Sequence, residues 1–264
     1  MRLDDKTVVL TGATSGIGEA AARLLAPSVR TLVIQGPEPA SDVAPLIKEL
    51  GGETDVHYVR ADFTSFAQVR RAGTEIRAAV PAIDVLVNNA GVPGAGRRRV
   101  TTDGNERTLQ VNYLALTLLT QRLLPAIHRG GRIVNVSSTT HRMTGLALDD
   151  LNLTDGYDAV RAYAQSKLAI LSYSLRLAGE LAGRGVDVVT ISPGVISTGL
   201  LHAMFGGGGV RVEHGGRRVI EAITAEVPTG TYIDDGEIVA PSDEARDPSV
   251  AAALAARTTS LIRH

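Results

Sequence analysis

The sequence contains no cysteine and no tryptophan, and only three phenylalanines and six tyrosines among its 264 residues. Without thiols it has no disulfide framework, no cysteine nucleophile and no thiolate metal site. So few aromatic rings cannot let stacking dominate recognition throughout a large pocket. An excess of one charge is also missing, because 27 Lys and Arg face 28 Asp and Glu. Global attraction to nucleic acid or to an anionic membrane is therefore not encoded, and neither is expected as a partner. No apolar run approaches the length of about 18 residues that marks a membrane span. The stretch Met1 to Lys6 leads directly into Thr7-Val8-Val9-Leu10 without a leader-like apolar segment, so a soluble, cytoplasmic protein is the expectation. The six histidines show no H-E-x-x-H or other ligand spacing, and no metal is expected.

What is present is a 44% hydrophobic chain, ample for one continuous core, with no repeat and no linker marking a second unit. A single domain over 1–264 is expected. Short apolar strands are predicted at Thr7–Thr11, 31–35, 56–60, 83–87, 132–137, 186–191 and 230–233, separated by helical patterns. Such alternation predicts the α/β class, with a doubly wound parallel sheet and helices on both faces. Two long helices are predicted over 104–128 and 158–182, and an alanine-rich terminal helix over 249–261. In the first, Leu109, Val111, Leu114, Leu116, Leu118, Leu119, Leu123 and Leu124 surround the axis. That helix needs burial on two sides, one against the sheet and the other against a second subunit or the rest of its own chain. Four consecutive glycines at 206 to 209 lie in a segment, 201–218, with few apolar anchors. It is expected to be mobile and to cover substrate.

The first strand runs into Gly12-Ala13-Thr14-Ser15-Gly16-Ile17-Gly18, followed by an alanine-rich helix. A glycine turn between strand and helix lets backbone N–H groups approach a pyrophosphate. The pattern is G-x-x-x-G-x-G, not the general G-x-G-x-x-G, and standing alone it is also compatible with an ordinary turn.

Further motifs follow in order: Asp62 after the third strand, Asn88-Asn89-Ala90-Gly91 after the fourth, Asn112 in the long helix, Ser138 after the fifth, Tyr163-x-x-x-Lys167, and Pro193-Gly194 after the sixth. Together with Thr11-Gly12-x-x-x-Gly16-Ile17-Gly18 this series resembles the short-chain dehydrogenase/reductase family over nearly the whole chain. Thr102-Asp103-Gly104, Val111-Asn112-Tyr113, Val136-Ser137-Ser138 with His141, and the 25-residue step from Ser138 to Tyr163 look like its retinol-dehydrogenase-like branch. The resemblance implies a Rossmann-type fold and an NAD or NADP cofactor. It also implies cofactor contacts at Gly12, Ser15, Gly16, Ile17, Gly18, Asp62, Phe63, Asn89, Ala90, Gly91, Tyr163, Lys167, Pro193, Gly194 and Thr198. A homodimer or homotetramer is expected if the second side of the long helix is covered by another subunit.

Tyr163 and Lys167 stand four apart in a helix, so their side chains share a face. A neighbouring ammonium favours the phenolate, which suits a tuned acid/base. Ser137 and Ser138 end one strand and cannot both point at one site. The family pattern selects Ser138 to hold the substrate oxygen, with Ser137 structural or lining the site. By the same resemblance Asn112 holds a water that links Lys167 to solvent; a satisfied core amide is the other reading. At the end of the second strand, where an acidic residue would meet the ribose of NAD or an arginine the 2′-phosphate of NADP, the chain has Gly36-Pro37-Glu38. The missing cation and Glu38 lean toward NAD.

The expected function is hydride transfer between nicotinamide and the carbonyl/alcohol pair of a small ketone or alcohol. An epimerase or dehydratase on the same scaffold is the alternative, with a non-enzymatic dinucleotide-sensing protein behind it.

Overall fold

The computed structural model describes residues 1–263. One eight-stranded sheet organises them: β1 (Thr7–Thr11), β2 (Thr31–Gly36), β3 (Asp55–Arg60), β4 (Ile83–Asn88), β5 (Ile127–Val136), β6 (Asp187–Ser192), β7 (Tyr232–Asp234) and β8 (Glu237–Ile238). The spatial order is β3-β2-β1-β4-β5-β6-β7-β8, parallel up to β7 and closed by the antiparallel pair β7–β8. The order reverses direction between β1 and β4, which opens a crevice at the carboxyl ends of these strands. β1, β2 and β4 are buried along their whole length, as continuous apolar runs covered on both faces must be. β3 is the edge and carries Asp55, His57 and Arg60 outward.

One face is packed by α1 (Gly16–Leu25), α2 (Ala40–Leu50) and α8 (Val212–Thr224). The other is packed by α3 (Phe66–Ala79), the composite helix that starts at α4 (Arg107–Leu109), and α6 (Ala159–Leu181). α4 passes through a π-helical turn, Gln110–Leu114, into α5 (Ala115–Leu123). The composite helix is shorter than the sequence pattern predicts. Glu106 caps its start by accepting the Leu109 N–H at 2.7 Å. Its end comes where Pro125 lacks a donor: Leu124–Ala126 forms a 3-10 turn, and Ile127 and His128 already belong to β5. Asp158 caps α6 by accepting from Arg161 N–H at 2.9 Å, and the helix ends at Leu181, as its periodicity indicated.

The second side of the composite helix is covered by the chain itself: α3 packs along α5, and α10 (Pro248–Arg263) covers the π-helical turn and α6. Entered through the short α9 (Asp243–Arg246), α10 lays Leu254 and Ile262 into the same core, and its Thr258 meets the Tyr113 hydroxyl at 2.7 Å.

Segment 201–218 is not irregular throughout. α7 (Gly199–Phe205) occupies its start and α8 its end, leaving only residues 206–211 between them. Glycine is responsible for the docking of α8. A Cβ on Gly216 would lie 3.0 Å from the Ala20 backbone, and one on Gly215 2.8 Å from the Ile17 side chain, so these glycines let α8 press against α1.

Candidate active site

The crevice between the two halves of the sheet is a cleft of roughly 880 Å³. It brings together every expected cofactor residue: Gly12, Ser15, Gly16, Ile17 and Gly18 from the first turn; Asp62 and Phe63 after β3; Asn89, Ala90 and Gly91 after β4; Tyr163 and Lys167 on α6; and Pro193, Gly194 and Thr198 after β6. Ser138 lines it as well, whereas Asn112 is fully buried behind Gly91.

The glycine turn is held by long-range contacts. Gly12 and Gly16 have φ of +62° and +56°, in the left-handed region that a side chain disfavours. The Gly12 N–H donates at 3.2 Å to the side-chain oxygen of Gln35, whose amide N–H donates at 2.7 Å to Ala61 O. Asn89 donates through its side chain to the carbonyls of Thr11 and Gly12 at 2.9 and 3.1 Å, while Thr11 Oγ1 accepts the N–H groups of Asn89 and Ala90. A Cβ on Gly18 would stand 2.0 Å from Gly12 O and 2.5 Å from Asn89 Nδ2. Gly18 is thus demanded by the turn's own packing before any ligand is considered. Asp62 spends one carboxylate oxygen on Thr64, accepting its N–H at 2.9 Å and its hydroxyl at 2.8 Å. Thr198 caps α7 by accepting the Leu201 N–H at 3.2 Å.

Tyr163 and Lys167 are both buried, with Lys167 Nζ 5.5 Å from the centre of the Tyr163 ring. Nζ donates to the Val136 carbonyl at 3.0 Å. Burial pushes the Tyr163 phenol up to about 12, against an opposing hydrogen bond with Ser138. Burial pushes the Lys167 ammonium down to about 8. At neutral pH the phenol therefore holds its proton and most of the lysine its charge.

The two serines separate as strand alternation requires. Ser137 Oγ donates to Lys167 O at 2.8 Å and is consumed in packing β5 against α6. Ser138 Oγ accepts the Thr140 N–H at 3.2 Å, which leaves its own hydrogen to donate elsewhere. Asn112 is a satisfied core amide: Oδ1 accepts the Val92 N–H at 2.7 Å, and Nδ2 donates to Val92 O at 3.1 Å and Ser166 Oγ at 3.0 Å. Its side chain holds the loop after β4 and sits in the π-helical turn; the expected water link loses side-chain support there.

The fit of a dinucleotide is testable at the far end of the cleft. Glu38 lines it, and its Oε2 is buried without a hydrogen-bond partner. An unpaired carboxylate oxygen suits hydroxyl donors such as a ribose diol and repels a phosphate. A cation that the sequence order hides stands next to the cleft without lining it, where Arg60 donates through Nε to Pro37 O at 3.1 Å. Two other residues escape sequence reasoning. Gln35 is an amide ending an otherwise apolar buried strand, which was its only signal. His141, fully buried beside Ser138, is visible in the sequence as part of a branch motif and as a hydrolase-like histidine without a G-x-S-x-G elbow, neither of which assigns it this place.

Residues 6–206 match the family model described as short chain dehydrogenase. The chain is 38% identical over 205 residues to mouse (Mus musculus) polyprenol dehydrogenase, covering 74% of this chain and 61% of that protein. It is 37% identical over 201 residues to human (Homo sapiens) retinol dehydrogenase 13, covering 74% and 60%. The chain thus matches about three-fifths of the length of these relatives. A short chain dehydrogenase from Burkholderia cenocepacia J2315, solved in complex with NADP, superposes with a TM-score of 0.73 at 26% identity, covering 89% of this chain and 98% of that one.

Proposed function

The chain belongs to the short-chain dehydrogenase/reductase family, in its retinol-dehydrogenase-like branch, and from that premise we propose that it is an NAD(P)-dependent oxidoreductase acting on the carbonyl/alcohol pair of an apolar small molecule. The observation that carries the reading is the convergence of Tyr163, Lys167 and Ser138 on the same cleft as the glycine turn. A bound nicotinamide dinucleotide supplies the hydride donor or acceptor.

The chain's own residues handle the proton and the reacting oxygen. Tyr163, whose phenol is protonated at neutral pH, gives its proton to the substrate oxygen in the reducing direction. Ser138 donates its free hydroxyl hydrogen to that oxygen and stabilises the charge developing there. Lys167 keeps an ammonium beside the Tyr163 ring and favours the phenolate left behind. The outer wall of the cleft is formed by Val92, Pro93, Val195, Ile196, Leu201 and Phe205, which suits a substrate with an apolar body. Polyprenol and retinol, which two of the relatives are named for, are alcohols of that character. α7, which carries Leu201 and Phe205, and the glycines after it act as the lid in this reading.

NAD is the preferred cofactor in this reading, supported by the unpaired Glu38 oxygen. The test is turnover of a panel of apolar aldehydes, ketones and alcohols with each cofactor, followed by nicotinamide absorbance, in the wild type and in Tyr163→Phe. Net cofactor oxidation or reduction lost in Tyr163→Phe is expected. Product formation without net cofactor turnover would overturn the redox assignment in favour of epimerisation or dehydration.

A further inference from the structure

The loop that carries Ser138 is tied to a remote part of the chain through one side chain. His141 is completely buried. Its Nδ1 lies 2.8 Å from Ser138 O, and its Nε2 lies 3.3 Å from the Ser242 N–H. A backbone N–H can only donate, so Nε2 is the acceptor and carries no hydrogen. Nδ1 must then carry the proton and donate it to Ser138 O, and the two contacts together fix a neutral imidazole in one tautomer. The Tyr232 ring on β7 packs edge-on against the imidazole, with centroids 5.4 Å apart and planes at 86°.

The carbonyl so held belongs to the residue whose hydroxyl faces Tyr163. Ser138 O accepts twice from the same partner, from the His141 backbone N–H at 3.1 Å and from Nδ1. Pinning this carbonyl pins the peptide plane that joins Ser138 to Thr139, one peptide before the Thr140 N–H that engages Ser138 Oγ. The same loop is braced further along, where Glu244 accepts the Leu146 N–H at 2.8 Å and Arg142 donates to Ala240 O. Among the described residues, only His141 hydrogen-bonds both to that segment and to Ser138.

We propose that His141 is a positioning residue for Ser138: its Nδ1–H fixes the serine's peptide plane, and its Nε2 anchors that plane to the segment before α9. The proposal rests on the oxidoreductase reading above, since it assigns Ser138 a role in turnover. A residue that only filled space would be replaced adequately by any side chain of similar volume. A residue that acts through Nδ1–H is replaced only by one with a donor at that place. Asparagine has such a donor, attached like Nδ1 directly to Cγ. Glutamine offers an acceptor two bonds from Cγ, as Nε2 does, and leucine offers neither.

Three variants separate these possibilities, each assayed for kcat and KM with the substrate that the wild type turns over best. His141→Leu is expected to lower kcat by about 10- to 100-fold, as displacement of a positioned group does, while the KM for cofactor stays within about twofold because the glycine turn is untouched. His141→Asn is expected to recover most of the lost kcat, and His141→Gln little of it. In the folded wild type, ¹⁵N histidine NMR is expected to show His141 protonated on Nδ1 and bare on Nε2. The opposite tautomer, or equal kcat in all three variants after correction for folded fraction, would overturn the proposal even with an active wild type. A wild type inactive with every substrate and cofactor would overturn the functional reading, and this proposal with it.

Discussion

Replacing Gln35 with leucine tests how the glycine turn is held. Gln35 is 2% exposed at the end of β2, and its amide bridges the Gly12 N–H to Ala61 O. Leucine keeps the apolar volume and removes both hydrogen bonds. Ala61 O is then left as a buried carbonyl without this donor, and an unsatisfied buried group costs about 1–3 kcal/mol. The Gly12 contact is only partly buried, so water can replace it and its loss costs nearer the net value of one hydrogen bond, about 1 kcal/mol. The variant should lose about 2–4 kcal/mol in urea unfolding. It should also bind dinucleotide more weakly, by about tenfold or 1.4 kcal/mol, because Gly12 loses the contact that orients its peptide. Isothermal titration with NADH and NADPH, on protein checked for folding, reads the second effect. A Gln35→Leu protein with wild-type midpoint and wild-type affinity for both cofactors would refute the clamp.

Tyr163→Phe should fold and bind cofactor, yet lose about 10²–10⁴-fold in kcat, the usual contribution of a general acid/base; undiminished turnover in a steady-state assay rules the mechanism out. Ser138→Ala should lose turnover, while Ser137→Ala should instead lose about 1 kcal/mol of stability with its bond to Lys167 O, so kinetics and urea titration of the pair read opposite defects. Glu38→Gln removes the charge at the far end of the cleft and should shift the NADPH/NADH affinity ratio toward NADPH by about tenfold, measured at matched ionic strength; an unchanged ratio places Glu38 outside the ribose subsite. His141 is held below its ordinary value by desolvation, with Arg142 acting in the same sense and Ser138 O and Asp234 opposing. The unfolded chain therefore takes up this proton first, and stability falls as pH drops below about 6.5. The slope of unfolding free energy against pH should be shallower there in His141→Asn, and identical slopes would refute the shift.

Legibility followed sequence distance. The Tyr163–Lys167 pair and the glycine turn were readable because their geometry is local: one helical turn in the first case, one strand-to-helix turn in the second. The choice between Ser137 and Ser138 was readable because alternation along β5 sends them to opposite faces, and the structure consumes Ser137 in packing. Gln35 and His141 were not readable as site residues. Their partners Ala61 and Ser242 are remote in sequence, and nothing in composition or period links them. Segment 201–218 holds more helix than its glycine content suggests, because glycine has two uses. At 206 to 209 it lets the backbone take positive φ throughout, but at Gly215 and Gly216 it removes side chains so that two helices can touch. The all-round apolar helix declared that it needed a second cover without saying which one, and a helix rich in alanine gives little sign of the face it will present.

That cover has a cost during synthesis. Tyr113, Leu177 and Leu181 are buried in a core that α10 completes, and about eighty residues separate Leu181 from Ile262. At translation rates of about 5–20 residues per second, the face awaiting α10 stays open for roughly 4–16 s after α6 has been made. Strands β6 and β7 must also join the sheet in that interval, in parallel pairings of high contact order that form slowly. The nascent chain therefore presents an uncovered apolar surface at the ribosome for far longer than a helix takes to form. Until α10 arrives, that surface is open to misplaced apolar contacts.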